Sequence, residues 1–569
     1  MYYTCGRFDQ AIAHFRKIVE MKAADYQVVV KLAESFLELG DYNEALEHFA
    51  AAAVAYKKLA SNITNRPDLE ATIKGELDRI QVQMARCLWE LNHKDEAFSS
   101  IVTLLKQDES DKNALIEYAH MLLDPSFRPD HLESLNVLLR CLVHDKENER
   151  IKRMISKIIK HNGTEMLIKI LQTKDGTLPS TSAPAIAWIA LIVRQHCHVK
   201  ESIELYDISL ELQPHNPSYV LNLVHSLELQ LNYEACVSRI KNFLENYKLH
   251  SHHPQLVQPK QILETINSTE LLQRKLKWTP EGARLQVDEK YVTQRILYNE
   301  PFSEDDLNFI ALCFTLVKIL FTTSQLNVLP NLIDLVESIR YLKCLHQTTI
   351  RNEHAYFCYL SQIMSECPPQ LTSAQPLYIC GDSHCLSPAW RTIRINGVDR
   401  LLKPTLVTGL KCWHLRPESD FYPKINFWNA VSTIPKRSDV IMMFGEIDCR
   451  EGIWLAVEKC KYDDIDHGIR VAVDIYVDVL VQLTLDPYCF DIRVHPVMPV
   501  LDLTRDMVKK WNQILCKKII GLNNTRIKWL DLFDNLLTTD GKDLKHEYKL
   551  DGTHAHPRYV SLIQDAINK

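Results

Sequence analysis

Three short strings in the last third of the chain contain the residue types of a serine nucleophile and its base. Residues 381–384 read Gly-Asp-Ser-His, residues 445–448 read Gly-Glu-Ile-Asp, and residues 551–554 read Asp-Gly-Thr-His. A serine hydroxyl attacks an ester efficiently only when a neighbouring base accepts its proton, and a histidine oriented by a carboxylate is a common base. Ser383, His554 and Asp551 supply these three groups. The strings therefore predict nucleophilic acyl chemistry at Ser383.

Short apolar runs alternate with amphipathic stretches from Gln375 to the end of the chain. The runs start at Leu377, Leu406, Val440, Ile492 and Ile527. This alternation predicts an α/β domain with a doubly wound, flavodoxin-like parallel sheet. Reactive loops of such sheets lie at the carboxyl ends of the strands. Because Ser383 follows the first run, Glu446 follows the third, and Asp551 and His554 lie beyond the fifth, we expect them to converge at one edge.

With its three strings in this order, the region 374–569 resembles the SGNH or GDSL-type hydrolase superfamily, over about a third of the chain. The resemblance implies that Ser383 is the nucleophile and that Asp551 and His554 complete a catalytic triad. The superfamily also has an oxyanion hole, which implies backbone N–H donors at Ser383 and Gly409. A third donor, an asparagine side chain, is replaced by Ile447, and loss of one donor lowers turnover about 10²- to 10³-fold. Candidate substitutes are Arg450, His414 and Asn429, and the sequence does not choose among them.

Each triad residue also has an ordinary structural alternative. Ser383 could cap the helix that follows it, and Asp551 could cap the turn before the last helix. His554 could be an ordinary loop histidine. Other candidates for the base are His384, His495 and His556, but only His554 has the family spacing from Asp551.

Neighbouring residues are predicted to be structural. Glu446 and Arg450 are four apart at a predicted helix start, which predicts a surface ion pair. Asp448 matches a family position and is expected to organise its loop. Cys385 and Cys449 are expected to be buried small residues, because nothing nearby predicts an activated thiolate.

A repeat of fixed period runs through the N-terminal half of the chain. The string that begins at Gly6 returns at Gly40, and Phe15 matches Phe49 with the same offset. A 34-residue period with a glycine, a small residue and an aromatic at fixed offsets resembles the tetratricopeptide repeat, a helix-turn-helix unit that stacks into a solenoid. The glycine is expected to end the first helix in a left-handed cap, and the small residue to let the two helices approach closely.

Further copies of the repeat begin at Asn92, Ser202 and Tyr233. The copy at Asn92 lies well beyond one period from the copy at Gly40, which predicts a longer loop or helix. In the last copy Ala235 is matched with Ser202, 33 residues earlier, which is one residue short of the period. The stretch 110–195 is helical by periodicity but degenerate, and residues 174–184 predict a loop. The chain begins at the turn of the first repeat, so most of that repeat's first helix is missing. A repeat array of this kind binds a protein or peptide in its groove, or serves as a structural stalk.

These patterns divide the 569 residues into three predicted regions: repeats at 1–250, a mainly helical connector at 251–373 and the hydrolase-like domain at 374–569. The predicted fold class is thus an all-α helical-repeat solenoid followed by an α/β domain. In the connector, Ser303 predicts a helix N-cap, and residues 333–345 and 353–364 have helical periodicity. We find no residues there that predict chemistry.

Composition argues against several classes of protein. A net charge of −6 with 46% hydrophobic and 24% charged residues is ordinary for a soluble chain and gives no sign of a nucleic-acid partner. The longest apolar run, Phe309 to Phe321, contains Lys318 and is well short of the roughly 20 residues that a membrane helix needs, so it predicts a buried helix and no membrane span. The 16 cysteines form no Cys-x-x-Cys pair, and no apolar leader opens the sequence. We therefore expect a cytoplasmic protein with reduced thiols, without metal or other cofactor.

Two functions follow from these observations. The first is a serine esterase or acyl hydrolase that acts through an acyl-enzyme on an ester of unknown class, with a repeat array that binds a protein partner. The same chemistry could run as acyl transfer. The second is a weakly active or non-catalytic SGNH-like scaffold whose repeats mediate protein–protein interaction. The presence of Ser383, Asp551 and His554 together favours the enzyme, and the absent asparagine favours the scaffold.

Overall fold

The computed structural model describes residues 2–21, 26–62, 66–249, 256–268, 276, 301–340 and 343–569. These residues form two compact units, one of residues 1–178 with 456–463 and one of residues 179–455 with 464–569. The predicted loop at 174–184 contains the division between them. The predicted limits at 250 and 373 do not coincide with this division, since the helices between 183 and 246 belong to the same unit as the sheet.

The first unit is built from consecutive helices. They are α1 (Phe8–Glu20), α2 (Tyr26–Glu38), α3 (Tyr42–Asn62), α4 (Pro67–Glu90), α5 (Lys94–Gln107), α6 (Lys112–Met121), α7 (His131–His144), α8 (Glu149–Asn162) and α9 (Glu165–Leu171). Each of the helices from α1 to α8 packs against the next. The predicted helical-repeat array is therefore confirmed.

The repeat positions have the conformations that the sequence predicts. Gly6 and Gly40 have φ of +70° and +81°, in the left-handed region where glycine is favoured. The small residues that follow them, Ala11 and Ala45, are buried between helices, as is Phe49. The extra residues before Asn92 lengthen helices rather than a loop, because α3 has 21 residues and α4 has 24.

The second unit begins with α10 (Ala183–Gln195), α11 (Val199–Leu212), α12 (Pro217–Leu229), α13 (Tyr233–Asn246) and α14 (Pro259–Asn267). Two of the turns between them have left-handed residues, Cys197 with φ of +67° and Leu231 with φ of +57°. These turns are separated by one full period of the repeat, and the buried small residues that follow them are Ser202 and Cys236. The predicted alignment of the last copy is therefore wrong by one residue, since Cys236 rather than Ala235 takes the closely packed position.

The connector contributes α15 (Glu304–Thr322), α16 (Leu329–Arg340) and α17 (Arg351–Glu366). Ser303 caps α15 as predicted, because its side chain accepts the Asp306 N–H at 3.1 Å while the Asp306 carboxylate accepts the Ser303 N–H at 3.0 Å. The apolar run in α15 is buried, and Lys318 within it pairs with Glu228 of α12 at 2.9 Å. Among the helices that the structure describes, none combines the length and hydrophobicity of a transmembrane segment.

The rest of this unit surrounds a six-stranded mixed sheet. Its strands are β1 (Gln375–Gly381), β2 (Thr392–Ile395), β3 (Val398–Leu406), β4 (Asp439–Met443), β5 (Asp491–Val494) and β6 (Ile527–Trp529), in the order β2-β3-β1-β4-β5-β6. All neighbours are parallel except β2 and β3. The helices that follow the strands are α18 (Tyr422–Ser432), α19 (Ile453–Glu458), α20 (Ile465–Leu483), α21 (Arg505–Gly521), α22 (Phe533–Leu536) and α23 (Val560–Asn568). The division between the units falls within α19, whose residues from 456 onward belong to the first unit.

The sequence analysis missed β2, which forms a hairpin with β3. The turn between them is Asn396-Gly397, with φ of +47° and +82°. An Asn-Gly pair is a strong local signal for a two-residue hairpin turn, because both residues tolerate positive φ. This signal could have identified the hairpin.

Candidate functional site

The predicted nucleophile follows the carboxyl end of β1. Gly381, the last residue of β1, lies opposite Met443, the last residue of β4. A Cβ atom on Gly381 would lie 2.7 Å from the Met443 carbonyl oxygen, so this close approach requires glycine. The chain then forms a 3₁₀ turn, Ser383–Leu386, whose N-cap is Asp382. The alternative in which Ser383 caps the helix is therefore wrong, and its side chain is available for another partner.

Ser383, His554 and Asp551 lie in one hydrogen-bonded chain. His554 Nε2 is 2.8 Å from Ser383 Oγ, and His554 Nδ1 is 2.8 Å from Asp551 Oδ2. The other oxygen of Asp551 accepts the backbone N–H groups of Thr553 at 2.8 Å and of His554 at 2.7 Å. Asp551 thus organises its turn and also orients the imidazole. Ser383 is half-buried, whereas His554 is almost fully buried.

The electrostatics of Asp551 favour its ionised form. Burial by itself would raise the pKa of this carboxyl group, but the His554 ring and the two backbone N–H groups outweigh burial and hold that pKa well below its usual range. An ionised Asp551 accepts the Nδ1–H of His554. The Nε2 lone pair of a neutral ring then faces the Ser383 hydroxyl, which is the tautomer that a general base needs.

The other three candidate histidines have other partners. His384 contacts Asp382 Oδ1 through Nδ1 and the Thr553 carbonyl through Nε2, both at 2.9 Å. His495 is buried, contacts the Pro496 carbonyl at 2.7 Å, and has its pKa lowered to about 4 by burial. His556 Nδ1 accepts the Arg558 N–H at 3.1 Å. Among the described residues, only His554 bonds to the Ser383 hydroxyl.

A tyrosine that the sequence analysis did not single out covers the ring of His554. Tyr359, on α17, is fully buried and stacks on the imidazole with ring centroids 3.8 Å apart and planes inclined by 13°. A cation over an aromatic face is stabilised, so this ring favours the imidazolium that forms when His554 takes a proton. Tyr359 belongs to the connector, where the sequence predicts no chemistry. Its contact joins residues that are far apart in the chain and has no local sequence signal.

The two predicted backbone donors of the oxyanion hole are not used elsewhere in the described structure. The Ser383 N–H opens the 3₁₀ turn, where N–H groups have no partner within the helix. Gly409 follows β3 in an exposed turn with φ of +68°. Neither N–H group donates a hydrogen bond to another described residue.

The three candidate substitutes for the missing asparagine differ in their contacts. Asn429 already donates to the Leu229 carbonyl at 2.9 Å, so its amide has another role. Arg450 lies 3.5 Å from Glu446 and 3.8 Å from Glu451. His414 Nδ1 accepts the backbone N–H of Lys411 at 3.2 Å, and burial, then neighbouring cations, lower the pKa of its ring to about 4. The neutral His414 ring therefore carries its proton on Nε2.

The string at 445–448 follows β4 beside the nucleophile turn. Gly445 has φ of +116°, and a Cβ atom there would lie 2.8 Å from the Trp511 ring. Glu446 lies 3.5 Å from Arg450 as predicted, but it is only 5% exposed. The prediction that this ion pair lies at the surface is therefore wrong. Both carboxylate oxygens of Glu446 are buried without a hydrogen-bond donor among the described residues, and burial raises the pKa of this carboxyl group.

Asp448 organises its loop as predicted. Its carboxylate accepts the backbone N–H of Cys412 at 2.8 Å and lies 3.5 Å from that of Trp413. Cys385 and Cys449 are fully buried as predicted, and burial raises the pKa of both thiols. All sixteen cysteines of the chain lie in the described residues, and none of them forms a disulfide bond.

One group of side chains has the spacing of metal ligands. Asp382, His384 and Glu446 each offer a ligand atom within 4.8 Å of the others, and all three are buried. The ring nitrogens of His384 are both engaged, one with Asp382 and one with the Thr553 carbonyl. A metal ion would need one of these nitrogens as a free lone pair. The observed contacts therefore favour a protonated ring at this position.

A scan against models of protein families finds no match, and no curated protein matches the sequence. Two similar solved structures are the C-terminal part of a TPR repeat-containing protein from Cytophaga hutchinsonii and a tetratricopeptide repeat protein from Parabacteroides merdae. The first is 12% identical in sequence, and the match covers 43% of this chain and 92% of the matched chain, with a TM-score of 0.24. The second is also 12% identical, and the match covers 58% of this chain and 98% of the matched chain, with a TM-score of 0.19. Both scores lie well below 0.5, so neither likeness bears on the chemistry of this chain.

Proposed function

We propose that this chain is a serine esterase or acyl hydrolase in which Ser383 forms an acyl-enzyme. The observation that carries the proposal is the chain of contacts from Ser383 Oγ through the His554 ring to Asp551, with both distances at 2.8 Å. These distances are within the range that a nucleophile and its general base require. The nucleophile is partly accessible to solvent, so a substrate can approach it.

The proposed reaction has two halves. His554 Nε2 takes the Ser383 proton while Oγ attacks the ester carbonyl, and the N–H groups of Ser383 and Gly409 bind the oxyanion. The imidazolium, held by Asp551 and covered by Tyr359, then gives its proton to the departing alcohol. Water attacks the acyl-enzyme with His554 as base, which releases the carboxylic acid and restores Ser383. An alcohol in place of water would give acyl transfer.

The strand order supports the finer fold assignment within this proposal. Taken in chain order without β2, the parallel strands lie in the order 2-1-3-4-5, which is that of flavodoxin-like doubly wound sheets. Together with the three sequence strings, this order supports membership of the SGNH or GDSL-type superfamily.

We extend the proposal to a protein partner for the helical array and to a cytoplasmic location. Helical-repeat arrays commonly bind peptides or proteins. Cysteines without disulfide bonds throughout the described chain agree with a reducing compartment.

A second candidate function is a weakly active or non-catalytic scaffold. The specific observation in its favour is Ile447, whose side chain offers no hydrogen-bond donor at the position where the superfamily has asparagine. Loss of one such donor lowers turnover about 10²- to 10³-fold and leaves the rest of the machinery in place. This candidate keeps the array as the functional part.

Hydrolysis of p-nitrophenyl esters with acyl chains from acetyl to octanoyl tests the proposal. We expect turnover by the full chain, background rates for Ser383→Ala, and unchanged rates for Ser432→Ala, a matched change at an exposed serine of the same unit. A Ser383→Ala protein that is folded and still turns over would assign the activity to another nucleophile. A folded wild-type protein that hydrolyses none of the esters would favour the scaffold.

A further inference from the structure

The residues on either side of Ser383 form a second set of contacts to the loop that carries the base. His384 Nε2 donates to the Thr553 carbonyl at 2.9 Å, one residue before His554. His384 Nδ1 contacts Asp382 Oδ1 at 2.9 Å, and the same oxygen accepts the His384 backbone N–H at 3.0 Å. None of these contacts belongs to the Ser383–His554–Asp551 chain.

These contacts require a proton on each ring nitrogen of His384. A backbone carbonyl only accepts hydrogen bonds, so Nε2 carries a proton. Asp382 Oδ1 already accepts a backbone N–H, and an ionised carboxylate can only accept, so Nδ1 carries a proton as well. Burial opposes this charge, but the negative charge of Asp382 and its hydrogen bond outweigh burial and raise the pKa of His384 to about 9.

The groups around His384 balance its charge. Asp382 lies on the same turn, and Glu446 lies beyond β4 with its carboxylate within 4.8 Å. Other titratable groups near the ring include His554, with ring centroids 4.9 Å apart, and His495 beyond β5, which is neutral at pH 7 because burial lowers its pKa to about 4. One cation thus lies between two buried acidic groups, and the group that hydrogen-bonds to it, Asp382, balances its charge.

The contact from His384 fixes the backbone of Thr553, the residue immediately before the proposed base His554. The Thr553 N–H is held by Asp551 at 2.8 Å, and the Thr553 carbonyl is held by His384 at 2.9 Å. Both backbone polar groups of the residue preceding His554 are therefore fixed. The turn 382–384 and the loop 551–554 are joined by two adjacent bonds, one from the Ser383 hydroxyl and one from the His384 ring.

We propose that His384, hydrogen-bonded to Asp382 and beside Glu446, is a positioning residue that aligns His554 with the Ser383 hydroxyl by binding the Thr553 carbonyl. The ring does not touch the reacting atoms, so its effect is on alignment. This inference rests on the proposed function and deepens it, because it assigns a role to three buried ionisable residues that the triad does not use. A displacement of about 1 Å in such a site lowers turnover about 10²-fold.

Two variants of His384 separate alignment from folding. In His384→Gln the side-chain N–H₂ replaces the Nε2–H donor but carries no charge, whereas in His384→Leu the donor is lost. We expect kcat on p-nitrophenyl acetate to fall about 10-fold in His384→Gln and about 10²-fold in His384→Leu, with KM within about twofold of wild type. His215→Gln, at an exposed histidine in the turn before α12, is the matched control and should not change either constant.

A second measurement does not depend on turnover. In the proton spectrum of the wild-type protein, we expect a downfield imidazole N–H resonance that is lost in His384→Gln and kept in His215→Gln, from the ring bonded to Asp382. ¹⁵N spectra of histidine-labelled protein should show this ring with two bound protons at pH 7. Metal analysis of the purified protein should find no stoichiometric ion.

The outcomes separate the two proposals. An active wild-type protein with unchanged kcat in folded His384→Leu overturns the positioning role and leaves the proposed function in place. A singly protonated His384 ring, or a stoichiometric metal ion that is lost in His384→Gln, overturns it as well. A wild-type protein without any esterase turnover overturns the proposed function and the positioning role with it, while the resonances still report the hydrogen bonds of His384.

Discussion

Replacement of Asp551 by asparagine should remove the base without unfolding the site. In the structure one oxygen of Asp551 accepts two backbone N–H groups, at 2.8 and 2.7 Å, and the other faces His554 Nδ1 at 2.8 Å. In Asp551→Asn the carbonyl oxygen keeps the two backbone bonds, so the amide N–H₂ faces Nδ1. Nδ1 must then accept, and the ring proton moves to Nε2.

The ring of the variant therefore points a proton at Ser383 Oγ instead of a lone pair. A base in the wrong tautomer cannot take the serine proton. The same exchange in a serine protease triad lowers kcat by about 10⁴, which corresponds to about 5.5 kcal/mol of transition-state stabilisation. We expect a loss of about this size here, because the geometry that fixes the carboxylate is of the same kind.

The assay is kcat/KM on p-nitrophenyl acetate, with circular dichroism to confirm that the variant is folded. Asp540→Asn is the matched control, because Asp540 makes hydrogen bonds in an exposed loop of the same domain, to Thr538 and the Lys542 N–H. That variant should keep the wild-type rate. If folded Asp551→Asn retains more than about a tenth of wild-type kcat/KM, the assigned tautomer and the role of Asp551 are wrong.

Three further predictions follow from the packing and charges. Tyr359→Leu should lower kcat about 10-fold because it removes the aromatic face over His554, whereas Tyr359→Phe keeps the ring and most of the rate in the same kinetic assay. Phe49→Ala should lower the free energy of unfolding in urea by about 3–5 kcal/mol, because Phe49 is fully buried. The control Val54→Ala, at a residue that is 68% exposed, should change it by less than about 0.5 kcal/mol. The pKa of His384 is raised from 6.5 to about 9, so the protonated ring contributes fully to stability below about pH 6.5 and this contribution is lost as the pH rises through 9. The difference in free energy of unfolding between wild type and His384→Gln should therefore shrink by about 3 kcal/mol between pH 6 and 10 in the same unfolding assay.

The triad residues could be predicted because their signals are local. Ser383 follows β1 within two residues, and Asp551 and His554 lie on one short turn, so a few consecutive residues carry each part of the pattern. Their convergence follows from the general rule that loops after parallel strands meet at one edge. The structure brings all three within hydrogen-bonding distance.

The residues that surround the triad could not be predicted in the same way. Tyr359 reaches His554 from a helix that is distant in sequence, and the amide of Asn429 is used by the Leu229 carbonyl of another helix. Contacts of this kind depend on tertiary packing, which leaves no local pattern in the sequence. Glu446 and Arg450 have the spacing of a surface pair, but the fold buries the carboxylate.

Errors in the repeat arose where the usual turn residue is absent. Cys197 and Leu231 take the left-handed conformation that glycine takes at Gly6 and Gly40. Without glycine to mark the turn, the sequence pattern places the last copy one residue away from its position in the structure. Strand β2 is a different case, since Asn396-Gly397 is a local hairpin signal that lies outside the apolar runs.

The most direct test of the central claim is reaction of the purified 569-residue chain with a fluorophosphonate, followed by mapping of the modified peptide by mass spectrometry. An activated serine hydroxyl displaces fluoride and becomes phosphonylated, and this needs the nucleophile and base but no particular ester. The triad geometry predicts stoichiometric modification at Ser383, which is lost in Ser383→Ala and slowed about 10⁴-fold in Asp551→Asn. Folded wild-type protein that stays unmodified, or that is modified at another residue, would contradict the assignment of Ser383 as an activated nucleophile.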